Sequence, residues 1–157
     1  MPRPTHYTRT VLDAIRQIVQ TLNTSSRTIE KSLGISMAQL YVLDQLAGEN
    51  GLTINELAER TYTHQSSVSV VVQKLRDGKY VSASPNPDDR RQVTISLTAK
   101  GRTLVKKAPD IAQERFIRSF ESMPDAKQRI FAELMTEFTK SAGLKTSRPP
   151  MLFEKQR

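Results

Sequence analysis

The polar side chains between residues 65 and 74 are spaced as on one face of a helix. Val68, Val71 and Leu75 recur at intervals of three and four, which predicts a buried opposite face. Short side chains that bond to base edges suit a DNA major groove, which is about 12 Å wide. For each side chain alone, plain solvation is the alternative interpretation. The candidates for contact with bases or phosphates are Gln65, Ser66, Ser67, Ser69, Gln73 and Lys74.

A second group of candidates lies in a charged loop at residues 85–91. The loop contains the run Asp88, Asp89, Arg90 and Arg91. An arginine is attracted to the negative potential of a narrow minor groove, and an aspartate can hold it in the required rotamer. Taken alone, these residues also fit a solvated ion pair worth about 0–1 kcal/mol. Either arginine can be the inserted one, because both Asp-x-Arg pairs have the same spacing.

The positive charge of the chain is concentrated around these two groups. The net charge is +8 over 157 residues, and residues 64–107 contain nine Lys or Arg against three Asp. Binding of a polyanion is favoured by such a segment, because each neutralised phosphate releases condensed counterions. A solvated basic surface is the alternative for charge considered alone.

The elements that precede this segment are predicted to be three helices. Apolar residues recur at helical intervals over about 5–32 without glycine or proline, which predicts one long helix. Ser36 with Gln39, and Thr53 with Glu56, have the spacing of capping boxes and predict the starts of the second and third helices. The apolar stripe of the first helix is long enough that a second subunit could cover part of it.

The elements that follow are a helix and a hairpin with a long loop. We expect Thr63 to cap the fourth helix and Gly78 to end it. The hydrophobic period then changes to two, which predicts strands at about 80–84 and 93–97. Since the intervening loop is too long and too charged for a tight hairpin turn, it should project into solvent.

Two further helices are predicted towards the carboxyl end. Thr98 is the expected cap of the fifth helix, which Pro109 should bend rather than end. The sixth helix follows Pro124 and stops at Gly143, and residues 144–157 are expected to be an extended tail. The predicted fold is therefore mainly α with a small two- to three-stranded antiparallel wing.

Composition argues against an enzyme, a metal site and a membrane protein. There is no cysteine, and the two histidines, His6 and His64, have no evident partners for catalysis or metal ligation. We therefore expect no cofactor and no metal. The apolar runs are too short to span a bilayer, and no secretory signal opens the sequence, so we expect a cytoplasmic protein.

The residues quoted so far resemble the MarR family of bacterial and archaeal regulators. The similarity lies in the serine-rich start of the fourth helix, the Asp-Asp-Arg-Arg run and the Leu97-Thr98 pair followed by Gly101. It is strongest over residues 53–102, and elsewhere only the order of helices agrees.

The resemblance implies a homodimer whose first, fifth and sixth helices interlock. It places the fourth helix in the major groove and a wing arginine in the minor groove. Asp89 would then orient Arg91, and Arg90 would touch phosphate. Family members often respond to small phenolic or anionic molecules. Because the chain lacks cysteine and tryptophan, the peroxide-sensing and urate-sensing modes of the family are not expected.

We therefore interpret the chain as a winged helix-turn-helix regulator of transcription. Residues 35–103 are the expected DNA-binding domain, and 1–34 with 104–143 the expected dimerisation region. The expected function is repression by a homodimer that binds double-stranded DNA at a pseudo-palindromic operator and is released by a small-molecule effector. The alternative is a winged-helix module whose basic wing binds an acidic protein.

Overall fold

The computed structural model describes residues 6–86, 89, 91–144 and 149–154. Within these residues the chain forms seven helices and one small antiparallel sheet, which confirms the predicted fold class. The elements in chain order are α1 (His6–Leu33), α2 (Met37–Gln45), β1 (Leu52–Thr53), α3 (Ile54–Arg60), α4 (Gln65–Asp77), β2 (Val81–Pro85), β3 (Val93–Leu97), α5 (Ala99–Lys106), α6 (Ala112–Glu121) and α7 (Asp125–Ser141).

Two capping boxes start the helices that support α4. The Ser36 hydroxyl accepts the Gln39 backbone N–H, and the Gln39 side chain accepts the Ser36 N–H in return. Thr53 and Glu56 make the same reciprocal pair at the start of α3. Each box satisfies N–H groups that a helix start otherwise leaves without partners. Both predicted helix starts are therefore confirmed.

The sheet holds the wing against the helices. The strand order is β1-β3-β2, and β3 pairs antiparallel with both neighbours. In this register Leu52 and Ala83 both lie opposite Ile95, which is 2% exposed. The side of the sheet that carries Ile95 therefore packs into the same core as α2, α3 and α4.

The start of α5 is fastened to the base of the wing. The Thr98 hydroxyl donates to the carbonyl oxygens of Lys79 and Tyr80, and it accepts the Gly101 N–H. A Cβ on Gly101 would collide with the Tyr80 carbonyl oxygen, so the position requires glycine. This contact explains why Leu-Thr and a glycine occur together at this point of the sequence.

The prediction that Pro109 only bends the fifth helix is wrong. α5 ends at Lys106 and α6 begins at Ala112, so the chain forms two helices here. Proline has no N–H to donate, and its ring disfavours helical geometry in the preceding residue. Burial of Ile111 and Ala112, which are 3% and 0% exposed, anchors the new start in the core.

The long terminal helices bury little within one chain. α1 places Leu22 and Ile29 in the core, whereas α7 has no buried residue at all. Large apolar side chains of α7 are instead 45–60% exposed. They are Ile130, Phe131, Leu134, Met135 and Phe138.

A segment near the carboxyl end returns to the core. An extended tail was expected over 144–157, but residues 151–154 within it form a turn. Met151 in this turn is only 5% exposed and belongs to the core. None of the helices in the described part of the chain is long and apolar enough to cross a membrane.

Candidate nucleic-acid interface

Helix α4 has one buried face and one polar face. Val68, Val71 and Leu75 are fully buried, as the sequence spacing predicts. Their burial fixes the rotation of the helix about its axis. This rotation leaves four polar side chains exposed to solvent on the other side of the helix, which are Gln65, Ser66, Ser69 and Gln73.

The amino end of α4 differs from the sequence prediction. Its N-cap is His64 rather than Thr63, and no side chain caps it. The first N–H groups of the helix therefore have no side-chain acceptor at this cap, next to the exposed side chains of Gln65 and Ser66. A helix start of this kind carries partial positive charge and suits a phosphate oxygen.

Three of the candidates on α4 are less open than the others. Gln73 is exposed, but its amide donates to the Asp77 carboxylate at 2.8 Å. Ser67 is half-buried. The Lys74 ammonium lies 3.9 Å from the carboxylate of Glu154, so this lysine faces a segment near the carboxyl end of the chain.

Two residues of α4 were not among the sequence candidates. Val70 is 45% exposed and lies between Ser66 and Gln73 on the outward face. An exposed valine there can pack against the methyl group of thymine. Arg76 is exposed one turn after Gln73. The helical spacing from Ser66 would have identified both, because 66, 70, 73 and 76 follow the same period.

In the wing, Asp89 holds Arg91. The Asp89 carboxylate accepts from the backbone N–H of Arg91 at 3.1 Å and from its guanidinium at 3.1 and 3.4 Å. These hydrogen bonds from Arg91 lower the pKa of Asp89, so the carboxylate is charged at neutral pH. The arginine is nevertheless 91% exposed. The wing therefore presents an oriented guanidinium to solvent.

The described part of the wing loop includes only two residues of the Asp-Asp-Arg-Arg run, Asp89 and Arg91. Asp88 and Arg90 lie outside the described residues. The loop around the pair is closed by two backbone hydrogen bonds, Asn86 N–H to the Gln92 carbonyl at 2.8 Å and Gln92 N–H to the Asp89 carbonyl at 2.9 Å. These two bonds join Gln92 to Asn86 and to Asp89.

Two cations of the basic segment at residues 64–107, Lys100 and Arg102, hold parts of the fold together. The Lys100 ammonium donates to the Gly78 carbonyl at 2.8 Å and lies 4.2 Å from the centre of the Tyr80 ring. Arg102 donates to the Leu97 carbonyl at 2.7 Å. These two cations therefore fasten α5 to the wing base, and the sequence count overstates the charge offered to a partner.

Across the described ranges, no three His, Asp or Glu side chains are grouped so that they could hold a metal ion. The exposed chemistry on α4 and the wing is that of hydrogen bonding and positive charge.

Comparison with known proteins agrees with this geometry. The MarR family model matches residues 33–92. The HTH-type transcriptional regulator ML2140 of Mycobacterium leprae is 33% identical over 106 residues, which cover 66% of this chain and 74% of that protein. The transcriptional repressor MdtR of Bacillus subtilis is 34% identical over 68 residues, or 43% of this chain and 44% of that protein.

A solved structure extends the similarity beyond the matched segment. BpsR of Bordetella bronchiseptica, whose DNA binding is regulated by 6-hydroxynicotinic acid, superposes with a TM-score of 0.59 at 25% identity. The superposition covers 87% of this chain and 98% of that one. The chain therefore belongs to the MarR family, whose members are DNA-binding transcription regulators and not enzymes.

Proposed function

We propose that this protein is a sequence-specific transcription repressor that binds a pseudo-palindromic duplex operator as a homodimer. The observation that carries the proposal is the exposed polar row on α4 beside the oriented Arg91 of the wing. In this proposal Gln65, Ser66 and Ser69 meet base edges in the major groove. Gln73 is available to bases once its bond to Asp77 opens, and Ser67 and Lys74 serve the phosphate backbone.

The wing has a separate role in the proposal. Arg91, held by Asp89, enters the adjacent minor groove, where a narrow groove concentrates negative potential. Arg90 contacts phosphate. This assignment is supported by the pairing of Asp89 with Arg91, because a held arginine loses less conformational freedom on binding.

The dimer is proposed from the exposed apolar faces of the terminal helices. α7 exposes five large apolar side chains, and α1 exposes Tyr7, Val11, Leu12, Ile18 and Val19 at 42–78%. Contiguous apolar surface of this kind indicates a covering partner, and the MarR resemblance implies a second copy. Residues 1–34 and 104–143 form the dimerisation region, and residues 35–103 form the DNA-binding domain.

The proposed effector is a small anionic molecule. A groove of about 400 Å³ lies between α1 and residues of the chain from Pro109 to the first turn of α6, and its lining includes Thr24, Thr28 and Arg115. Hydroxyl groups and a guanidinium suit a carboxylate, although Arg115 is engaged with Asp110 at 3.3 Å. The regulation of BpsR by 6-hydroxynicotinic acid supplies the first compound to test. 6-Hydroxynicotinic acid should cause the wild-type protein to release its operator. It should not cause release by the Arg115→Ala variant.

The operator can be found by selecting bound fragments from random duplex DNA. Footprinting on that operator should show two protected patches about ten base pairs apart, centre to centre. A protein that ignores every duplex at low ionic strength contradicts the proposal and favours an acidic protein partner.

The wing can be tested by changing Arg90 and Arg91 together to alanine. Operator binding should weaken, while the free energy of unfolding changes by about 0.5 kcal/mol or less, as at ordinary surface positions. The matched control is the pair Arg129→Ala and Lys140→Ala, which removes the same charge from the face of α7 opposite its apolar residues. Intact binding with a large loss of stability would refute the wing assignment.

A further inference from the structure

Residues 149–154, which we call the C-terminal clasp, dock on the DNA-binding domain. Met151 is 5% exposed and joins the core, and Phe153 packs against the same core. Burial of an apolar side chain stabilises its position, so the clasp is held by more than its charges. A turn near the carboxyl end is therefore part of the folded domain.

The clasp turn directs a carboxylate towards α4. The Glu154 N–H donates to the Met151 carbonyl at 3.1 Å, and Phe153 has a φ of 60°, so the chain reverses at this point. The reversal brings the Glu154 carboxylate to 3.9 Å from the Lys74 ammonium.

The ion pair is unusually well covered for a surface contact. The Glu154 side chain is 9% exposed and the Lys74 side chain 28%, whereas Arg91 in the wing pair is 91% exposed. Because water screens a covered pair less, Glu154 acts on Lys74 more strongly than a solvated carboxylate would.

We propose that the clasp is an autoinhibitory contact that competes with DNA for Lys74. This inference rests on the proposed function, in which Lys74 serves the phosphate backbone. A lysine ammonium binds phosphate as a compact positive charge, and Glu154 neutralises that charge and places a negative one beside the recognition helix. DNA must displace the carboxylate or bind without this contact, so the clasp sets operator affinity below its maximum.

The test is Glu154→Gln, which keeps the size of the side chain and removes its charge. Operator affinity, measured by fluorescence anisotropy with full-length protein, should rise about fivefold for each subunit bound. The slope of log affinity against log salt should steepen by about 0.9 for each phosphate newly contacted. The matched control, Glu133→Gln, makes the same charge change on the face of α7 away from its apolar residues and should leave the slope unchanged.

A second variant shows whether the gain passes through Lys74. Lys74→Gln in the Glu154→Gln background should abolish both the gain in affinity and the steeper slope. Additive effects of the two changes would overturn the inference, as would a Glu154→Gln protein with wild-type affinity and slope. The melting temperature of Glu154→Gln should stay close to that of the wild type, because Met151 still anchors the clasp.

The two proposals fail in different ways. If the wild type binds its operator and Glu154→Gln changes nothing, the clasp has no inhibitory role and the regulator assignment stands. If neither protein binds any duplex, both proposals are refuted. Met151→Ala provides a second route, because an undocked clasp should also raise affinity and steepen the salt slope as Glu154→Gln does.

Discussion

The winged domain and the terminal helices use apolar side chains in opposite ways. In the winged domain, α2, α3, α4 and the sheet close around a core in which Leu43, Leu57 and Leu75 are 0% exposed. On α7, Leu134 of the same chemical type is 60% exposed. The domain therefore completes its core within one chain, whereas the terminal helices leave an apolar surface that a second chain can cover. A leucine is therefore buried or exposed in the single chain according to whether its packing partners belong to the same chain.

The strongest test of this difference is Leu43→Ala in the core of the winged domain. Removal of a fully buried leucine should lower the free energy of unfolding by about 2–5 kcal/mol, because it loses burial and leaves a cavity. Urea denaturation followed by circular dichroism measures the loss. A change under 1 kcal/mol would show that the core is looser than the burial of this residue indicates.

The matched change on α7 is Leu134→Glu, which should act on association instead. A charge in the apolar face should weaken the dimer at least a hundredfold, or about 2.7 kcal/mol. Light scattering over a range of concentrations measures the dimer, and the secondary structure should remain. A variant that stays dimeric would mean that α7 faces solvent and that another surface joins the subunits.

The junction between the two regions should respond to pH. Burial of Glu114 on α6, together with the nearby Asp44 of α2, raises the pKa of Glu114 from 4.5 to about 7, against the opposing charge of Arg118. A carboxyl whose pKa is higher in the folded state binds a proton more tightly when folded. Stability should therefore fall as pH rises from about 4.5 to about 7.

The variant that tests the junction is Glu114→Gln. Its amide is neutral at every pH and can donate to Asp44, so the decline in melting temperature between pH 4.5 and 7 should be reduced. Above pH 7 the variant should be more stable than the wild type, although solvent exposure of Glu114 limits the gain. An unchanged pH profile would assign the dependence to other groups.

The smallest effect is expected at the two left-handed helix ends. After α4, Lys79 has a φ of 59° and is held by a hydrogen bond from Thr98 to its carbonyl, whereas α7 ends on Gly143 with a φ of 72°. Lys79→Gly should raise the free energy of unfolding by about 0.5–1 kcal/mol, because glycine adopts this conformation without strain. Gly143→Ala should instead lower the free energy of unfolding.

Thermal denaturation measures both changes. If Lys79→Gly is less stable than the wild type, the Lys79 side chain contributes more stability than its left-handed backbone conformation costs.

Local patterns predicted most of the winged domain. Both capping boxes and the buried face of α4 depend on neighbours within a few residues, and each is confirmed. The period of two predicted the strand at 93–97, but of its apolar residues only Ile95 is buried, and Val93 is 50% exposed. The prediction at Pro109 failed because a proline can bend or end a helix, and burial of Ile111 decides between them. The cap of α4 lies one residue later than predicted, and Thr63 instead donates its N–H to the Ala58 carbonyl of α3.

In the candidate site, too, sequence spacing predicted some features and the tertiary structure decided others. Helical spacing on α4 identified most of the exposed row and could have identified Val70 and Arg76. Spacing could not choose between two overlapping Asp-x-Arg pairs, and the structure shows the Asp89–Arg91 contact. It could not show that Lys100 and Arg102 bond to backbone carbonyls, because those carbonyls come from the turn after α4 and from β3.

By itself the sequence determined most of the residues that form helices and strands, which face of α4 turns inward and where the positive charge is concentrated. These properties follow from periodicity, capping and composition, which act over short stretches of chain. Only the tertiary structure decided that the chain breaks at Pro109, that Met151 returns to the core and that Glu154 faces Lys74. Such contacts join residues far apart in sequence, and packing across the whole fold selects them.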